Sequence, residues 1–97
     1  MALVLQLASG DDFYVGDERY FITEIESDTA FAIERERDGR KFLLVDGNPL
    51  LIEPEVYASV GTRGQPNLAN LCISAPRSIE VDRGDIYRLK RGPEALE

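Results

Sequence analysis

Short apolar runs follow one another along the whole chain, and turn residues separate them. The runs cover residues 2–7, 13–15, 20–25, 30–37, 40–45, 50–52, 56–60 and 68–74. Several of them alternate apolar and polar residues at a period of two, which is typical of β-strands, whereas the Gly, Pro, Asn and Asp residues between them indicate turns. The pattern therefore predicts a mainly β fold, a small antiparallel sheet of meander type.

The end of the chain predicts a strand, a turn, a second strand and a short C-terminal helix. Ala75-Pro76 interrupts an apolar run, because proline has no amide hydrogen for a continuing ladder. Ile79 and Val81 then alternate with acidic residues, as in a strand with one apolar face. The period changes after this strand, since Ile86 and Leu89 are three positions apart, and a Gly-Pro pair ends the helix that they indicate.

The first run, residues 2–7, has apolar side chains on both of its faces. Strands that are buried on both faces lie inside a sheet, so we expect this strand to be central. A chain of 97 residues buries only a modest core. The same strand therefore predicts a homodimer with residues 2–7 in its interface.

A two-residue hairpin turn is predicted at Asp38-Gly39, because both central residues of such a turn need a positive φ and this pair tolerates it. The resulting register places Glu36 opposite Lys41 and Ile33 opposite Leu44. We expect the charged tip of the hairpin to lie in solvent, either for solubility alone or as a contact for a partner.

Acidic residues outnumber basic ones, 18 to 11, and the net charge is -7. The imbalance lies in residues 1–60, which hold 13 acidic and 5 basic side chains, whereas residues 61–97 hold 5 and 6. Phosphate backbones are bound by Lys and Arg, so a nucleic-acid surface is expected only in the last third of the chain. Alternatively, these cations are solvated charges on a small acidic domain.

Most residue types that carry enzyme chemistry are missing. The chain has no His, one Cys, and neither a Gly-rich phosphate loop nor a serine nucleophile elbow. The carboxylate pairs Asp11-Asp12 and Glu53-Glu55 lack the spacing of a calcium loop. We therefore expect no enzyme activity, no cofactor and no metal site, and Cys72 is predicted to be a small core residue. The sequence indicates no membrane span or signal peptide, so a cytoplasmic location is expected.

Two blocks of the sequence resemble the carbon storage regulator (CsrA/RsmA) family. Ala75-Pro76, the alternating strand, Arg83, the acidic residue after it and Ile86-Tyr87 resemble the C-terminal half of that family. Leu3-Val4-Leu5 and residues 14–18 resemble its first strand and following turn. The resemblance covers residues 2–26 and 70–91, about half of the chain. It predicts a single CsrA-like domain over 1–97 with an inserted β-rich module at 28–67.

The resemblance implies an RNA-binding regulator of mRNA translation and stability, a homodimer in which the first strand of one chain lies beside the last strand of the other. Together these strands would hold a GGA-containing RNA loop. The matching site residues are Leu5, Ala75, Pro76, Arg77, Val81 and Arg83, with Arg63, Arg88, Lys90 and Arg91 as auxiliary cations. Leu7-Ala8 departs from the family, which has a basic pair there, and Asp82 adds a negative charge beside Arg83.

These departures leave a second interpretation open, an acidic protein-interaction module or inhibitor of phage or mobile-element origin that reuses the scaffold without binding RNA. A structural component of an assembly is a third. The segment 28–67 holds too many apolar residues to stay exposed, so we expect it to pack against the row formed by Leu3, Leu5 and Leu7 or against the partner strand of that row. Such packing would cover the RNA surface and favour the second interpretation.

Overall fold

The computed structural model describes residues 2–27, 29–61 and 68–91. Nine strands and one helix follow one another in this part of the chain. They are β1 (Ala2–Leu7), β2 (Asp12–Val15), β3 (Glu18–Ser27), β4 (Ala30–Arg35), β5 (Lys41–Val45), β6 (Leu50–Glu53), β7 (Val56–Val60), β8 (Ala69–Ser74), β9 (Val81–Arg83) and α1 (Gly84–Arg91). The mainly β fold with a short C-terminal helix is confirmed. No helix among the described residues is both long and apolar enough to cross a membrane.

The strands form two antiparallel sheets that share one core. One sheet has the order β1-β8-β7-β6 and the other the order β5-β4-β3-β2-β9. Alternate side chains of both sheets point into the space between them, where Phe13, Tyr20, Phe31, Leu44 and Leu71 are fully buried. Burial of this apolar surface is the main driving force for the arrangement.

β1 lies at the edge of the four-stranded sheet, so the expectation of a central strand is wrong. In the part of the chain that the structure describes, its only neighbour is β8, with Leu5 opposite Leu71. Leu5 and Leu7 point into the core, whereas Val4 on the opposite face is 55% exposed. An apolar residue on the outer face of an edge strand produces the same sequence pattern as a strand buried on both sides.

Cys72 is not a core residue. It lies in β8 between Leu71 and Ile73, which point into the core, so its thiol points to the outer face of the sheet. There it is half-buried beside Val4 and Ser59 on the neighbouring strands. The apolar run around it concealed the alternation, because cysteine is itself counted as apolar.

The β4–β5 hairpin has a longer loop than predicted, and its register differs by two residues. Glu34 lies opposite Lys41 and Ile33 opposite Phe42. The chain turns through residues 36–39. The backbone carbonyl of Arg35 accepts a hydrogen bond from the amide of Gly39, and the amide of Arg35 donates one to the carbonyl of Arg40. The Arg35 side chain, buried beneath the loop, holds the loop through its hydrogen bonds to Asp38.

The segment 28–67 contributes strands to both sheets. β4 pairs with β3 and extends the five-stranded sheet, whereas β7 pairs with β8 in the four-stranded sheet. Phe31, Ile33, Ile52 and Val56 thereby enter the same core as the side chains of Leu5 and Leu7. The segment is not an appendage, and it shares a core with Leu5 and Leu7 as expected, whereas Leu3 remains 37% exposed.

α1 packs on the outer face of the five-stranded sheet, over β2. The Tyr87 ring stacks on that of Tyr14, with centroids 3.6 Å apart, and Arg88 reaches Asp12. Ile86 and Leu89, whose spacing predicts the helix, face away from the sheet and are exposed. The helix was therefore predicted correctly from residues that do not hold it in place.

Candidate binding groove

An open groove separates the free edges of the two sheets, between β1 and β9. Its volume is about 240 Å³. Its walls are mostly apolar, and its rim carries charges of both signs. The lining residues of this β1–β9 groove are Leu3, Ile73, Ala75, Arg77, Ile79, Glu80, Val81, Asp82 and Lys90.

The groove exists because the chain passes from one sheet to the other at this place. Ala75-Pro76 ends β8, and the following turn, closed by a hydrogen bond from the Ile79 amide to the Pro76 carbonyl, leads the chain to β9. Among the described strands, β9 pairs only with β2, and β1 pairs only with β8. The backbone groups on the outer side of each edge are therefore open to pairing with another strand.

One of the two cations that line the groove, Lys90, is neutralised by carboxylates. Lys90 Nζ donates to Asp82 Oδ1 at 3.0 Å and to Glu80 Oε2 at 3.4 Å. The hydrogen bond to Asp82, with its negative charge, raises the pKa of Lys90 above its ordinary value. Arg77 makes no ion pair with any described residue and is exposed.

A second, smaller depression of about 170 Å³ lies beside the N-terminal end of α1. Leu7, Asp11, Asp12, Arg83, Asp85 and Arg88 line it. The carboxylate of Asp12 accepts hydrogen bonds from Arg19 Nε and Arg88 Nη1, both at 2.8 Å. Burial alone would raise the pKa of Asp12, but the hydrogen bonds and charges of Arg88 and Arg19 outweigh it and lower the pKa. This Asp12 cluster joins β2, β3 and α1.

The six residues that the resemblance assigns to RNA fall in different environments. The side chain of Leu5 is buried in the core, so only its backbone could contact a ligand, whereas Ala75, although mostly buried, lines the β1–β9 groove. Pro76 is half-buried in the turn. Arg77 and Val81 line the β1–β9 groove, whereas Arg83 lines the other depression, with Nε 3.6 Å from Asp85 Oδ1.

Two of the four auxiliary cations form ion pairs, and the side chains of the other two are not described. Arg88 is bound to Asp12, and Lys90 to Asp82 and Glu80. Arg63 lies outside the described residues. Arg91 is the last residue of α1, and its side chain is not described.

Sequence reasoning missed two parts of this region. Leu3 was placed on a row covered by the segment 28–67, but it lines an open groove. Asp12 was considered only as part of a carboxylate pair that lacks the spacing of a metal site, but it is the acceptor for two arginines, Arg19 and Arg88. The one local signal in the sequence is that Asp12 directly precedes the aromatic Phe13 of a predicted strand. Among the described residues, no group of His, Cys, Asp and Glu is arranged to hold a metal ion.

The fold and groove together define an all-β domain with an open edge between its two sheets. Searches against protein-family models, curated proteins and solved structures found no match for this chain. The resemblance to the carbon storage regulator family therefore stays an expectation from the sequence. The resemblance implies that the first strand of one chain lies beside the last strand of another. In this structure, β1 and β9 of the same chain lie on either side of the groove.

We expect the protein to lose stability as the pH falls below about 4, and Asp12 to account for part of the loss. The pKa of Asp12 is lower in the folded state. Its ion pairs therefore stabilise the fold above the unfolded-state pKa and are lost as the pH falls through the folded-state pKa. The free energy of unfolding of Asp12→Asn should be lower than that of the wild type at neutral pH and should vary less between about pH 5 and pH 2.

Urea unfolding at a series of pH values measures both effects. Asp46→Asn, at an exposed position without an ion pair among the described residues, serves as the control and should follow the wild-type pH dependence. If Asp12→Asn follows it as well, Asp12 does not contribute to the acid sensitivity.

Proposed function

We propose that this chain is a protein-interaction module that takes an extended segment of a partner protein into the β1–β9 groove. The observation that carries the proposal is the juxtaposition of a free strand edge with an apolar groove. β1 has one strand neighbour and six residues, and Leu3 at its outer end forms one wall of the groove. An added strand would pair with an edge that is otherwise left unpaired.

Strand addition uses two kinds of contact, and the groove offers both. Backbone hydrogen bonds to the edge supply affinity, while pockets for alternate side chains supply specificity. Leu3, Ile79 and Val81 form an apolar surface for every second side chain of an extended segment. This combination supports a partner segment with apolar residues at alternate positions.

The charges around the groove support a protein segment over RNA. RNA affinity depends on cations that are free to displace counterions from phosphates. Lys90 is held by Asp82 and Glu80, and Arg88 by Asp12, so a phosphate would have to compete with carboxylates already in place. Arg77 alone leaves the groove with little attraction for a phosphate backbone.

The overall charge indicates which partner segment fits best. A protein with a net charge of -7 attracts cationic partners and repels anionic ones during diffusional encounter. Lys90 lies closer to Asp82 (3.0 Å) than to Glu80 (3.4 Å), so the exposed carboxylate of Glu80 at the groove rim is the one available to a cation of the partner. We therefore propose that the bound segment alternates apolar residues with Lys or Arg.

Selection from a displayed library of random peptides of about nine residues tests this proposal. The expected products alternate apolar and basic residues. As synthetic fluorescein-labelled peptides they should bind Leu3→Asp and Val81→Asp at least about tenfold more weakly than the wild type, by fluorescence anisotropy. Leu43→Asp is the matched control, because Leu43 is an exposed apolar residue on the five-stranded sheet away from the groove, and it should bind as the wild type does.

Two results would contradict the proposal. One is a selection without enrichment, or one whose peptides bind Leu3→Asp and Val81→Asp with wild-type affinity. The other is binding of a GGA-loop RNA hairpin that weakens between about 50 and 200 mM salt and is lost in Arg77→Ala. That second result would replace the proposal with the RNA-binding function that the resemblance implies. Circular dichroism of each variant establishes that its fold is intact.

A further inference from the structure

The outer face of the four-stranded sheet differs from the rest of the surface because none of its described side chains is charged. Alternation along each strand identifies its members, since their neighbours in sequence point into the core. The pairing register then places them in adjacent rows across the sheet. The exposed or half-buried members of this uncharged face are Val4, Gln6, Leu51, Tyr57, Ser59, Cys72 and Ser74, whereas Asn70 on β8 is buried, at 2% exposed.

The other sheet shows how unusual this is for the chain. Charged residues make up 30% of the sequence. The outer face of the five-stranded sheet follows that composition, with an ion-pair chain from Asp12 through Arg19 to Glu36 and with Lys41 opposite Glu34. On the uncharged face, Val4, Leu51 and Tyr57 are each about half exposed, at 55%, 54% and 48%.

We infer that the uncharged face is where a second copy of this chain docks, sheet against sheet. Two molecules that each carry a charge of -7 repel one another over most of their surface. The uncharged face is the described surface on which they can approach without bringing like charges together. A cationic partner, by contrast, would find no carboxylate there to pair with. Electrostatics therefore favours self-association at this face over binding of the basic segment proposed for the groove.

The size of the face sets the strength of the association. Four strands spaced about 4.8 Å apart, with about 3.3 Å per residue, cover roughly 15 by 18 Å. Two such faces bury less than the roughly 1,200 Å² typical of stable complexes, even when their rims are included. We therefore expect a weak dimer that forms at micromolar concentrations and above, rather than a permanent one.

The position of Cys72 provides a direct probe of this geometry. It lies midway along β8, one of the two inner strands of the sheet, flanked by Val4 on β1 and Ser59 on β7. A twofold axis through the centre of the face therefore brings the two Cys72 thiols close together. It is the only cysteine of the chain, so a short bismaleimide crosslinker reports on this contact alone.

The test combines sedimentation equilibrium with crosslinking of the full chain. Over about 5 to 500 µM the wild type should pass from monomer to dimer, and a short bismaleimide should yield a covalent dimer. Val4→Lys should weaken the dimer at least about tenfold, because it brings two cations face to face in a desolvated contact. Leu43→Lys is the matched control. Leu43 is 54% exposed on the other sheet, and this variant should dimerise like the wild type.

Crosslinking has its own position control. The double variant Cys72→Ser/Lys41→Cys moves the thiol to the other sheet and should give no covalent dimer. The inference is overturned if the wild type stays monomeric over the whole range. It is also overturned if Val4→Lys and Leu43→Lys dimerise equally well, or if the relocated thiol crosslinks as readily as Cys72. Near-ultraviolet circular dichroism of the Val4→Lys variant excludes misfolding as the cause of a lost dimer.

Discussion

Replacing Arg35 by Met should lower the free energy of unfolding by about 3–5 kcal/mol, the cost of removing one partner from a buried ion pair. Arg35 Nη1 donates to the carbonyl of Ile52 at 2.7 Å and contacts Glu53 at 3.3 Å. Its Nε and Nη2 bind the carboxylate of Asp38 at 3.1 and 2.8 Å. Met would fill much of the volume but leave the Ile52 carbonyl and the Glu53 carboxylate without this donor.

The control for this prediction is Arg40→Met, in the same hairpin. Both guanidinium groups lie over the Phe42 ring, at 5.5 Å for Arg35 and 5.1 Å for Arg40. Arg40, however, is exposed and has no ion pair among the described residues. Its replacement should change stability by no more than about 0.5 kcal/mol. Urea unfolding followed by far-ultraviolet circular dichroism measures both variants, and equal effects would show that the buried hydrogen bonds of Arg35 are unimportant.

Replacing Gly84 by Ala should destabilise the protein by about 2–3 kcal/mol, as overpacking of a close contact does. The sign of this change in stability is diagnostic, because replacing Gly by Ala inside a helix ordinarily stabilises the helix by about 1 kcal/mol. A Cβ on Gly84 would collide with the carboxylate of Asp12. The carboxylate cannot simply rotate away, since Arg19 and Arg88 hold it in place. Either the cluster breaks or α1 moves off the sheet.

A double-mutant cycle separates this steric cause from a general effect on the helix. Asp12→Ala removes the atoms that an added Cβ would meet, at the cost of the ion pairs. In the Asp12→Ala background, Gly84→Ala should therefore cost less than it does in the wild type, by more than about 1 kcal/mol. Thermal and urea unfolding of the four proteins provide the comparison. Additive effects would mean that the close approach of Gly84 to Asp12 does not constrain the fold.

Sequence reasoning succeeded where the signal was local. Ala75-Pro76 ends a strand, and the apolar runs at 50–52 and 56–60 are strands, because proline geometry and short-range alternation decide these points. The position of β1 at a sheet edge could not be predicted, since its sequence does not say how many neighbours it has. The hairpin register could not either, because the buried side chain of Arg35 extends the loop through Asp38.

The charges around the groove show the same limit. The number of charges in each part of the chain follows from the sequence, which has its surplus of acidic residues in residues 1–60. Their pairing depends on the fold, because the ion pair between Arg88 and Asp12 joins residues 76 positions apart. Two of the cations counted as available for RNA, Arg88 and Lys90, therefore prove to be engaged in the folded chain. Apolar Leu3 likewise gains its role only from the neighbouring sheet.

The pairing of β1 with β8 also governs how the protein is made. Ala2 lies opposite Ser74, so β1 leaves the ribosome well before β8 and must wait for it before it gains a partner. Pairings between such distant segments make folding slow and leave apolar strands exposed in the interval. During synthesis Leu3, Val4 and Leu5 have no sheet to join. The nascent chain is thus most prone to aggregation just before residue 74 emerges, and chaperones that shield extended apolar segments would have their main effect then.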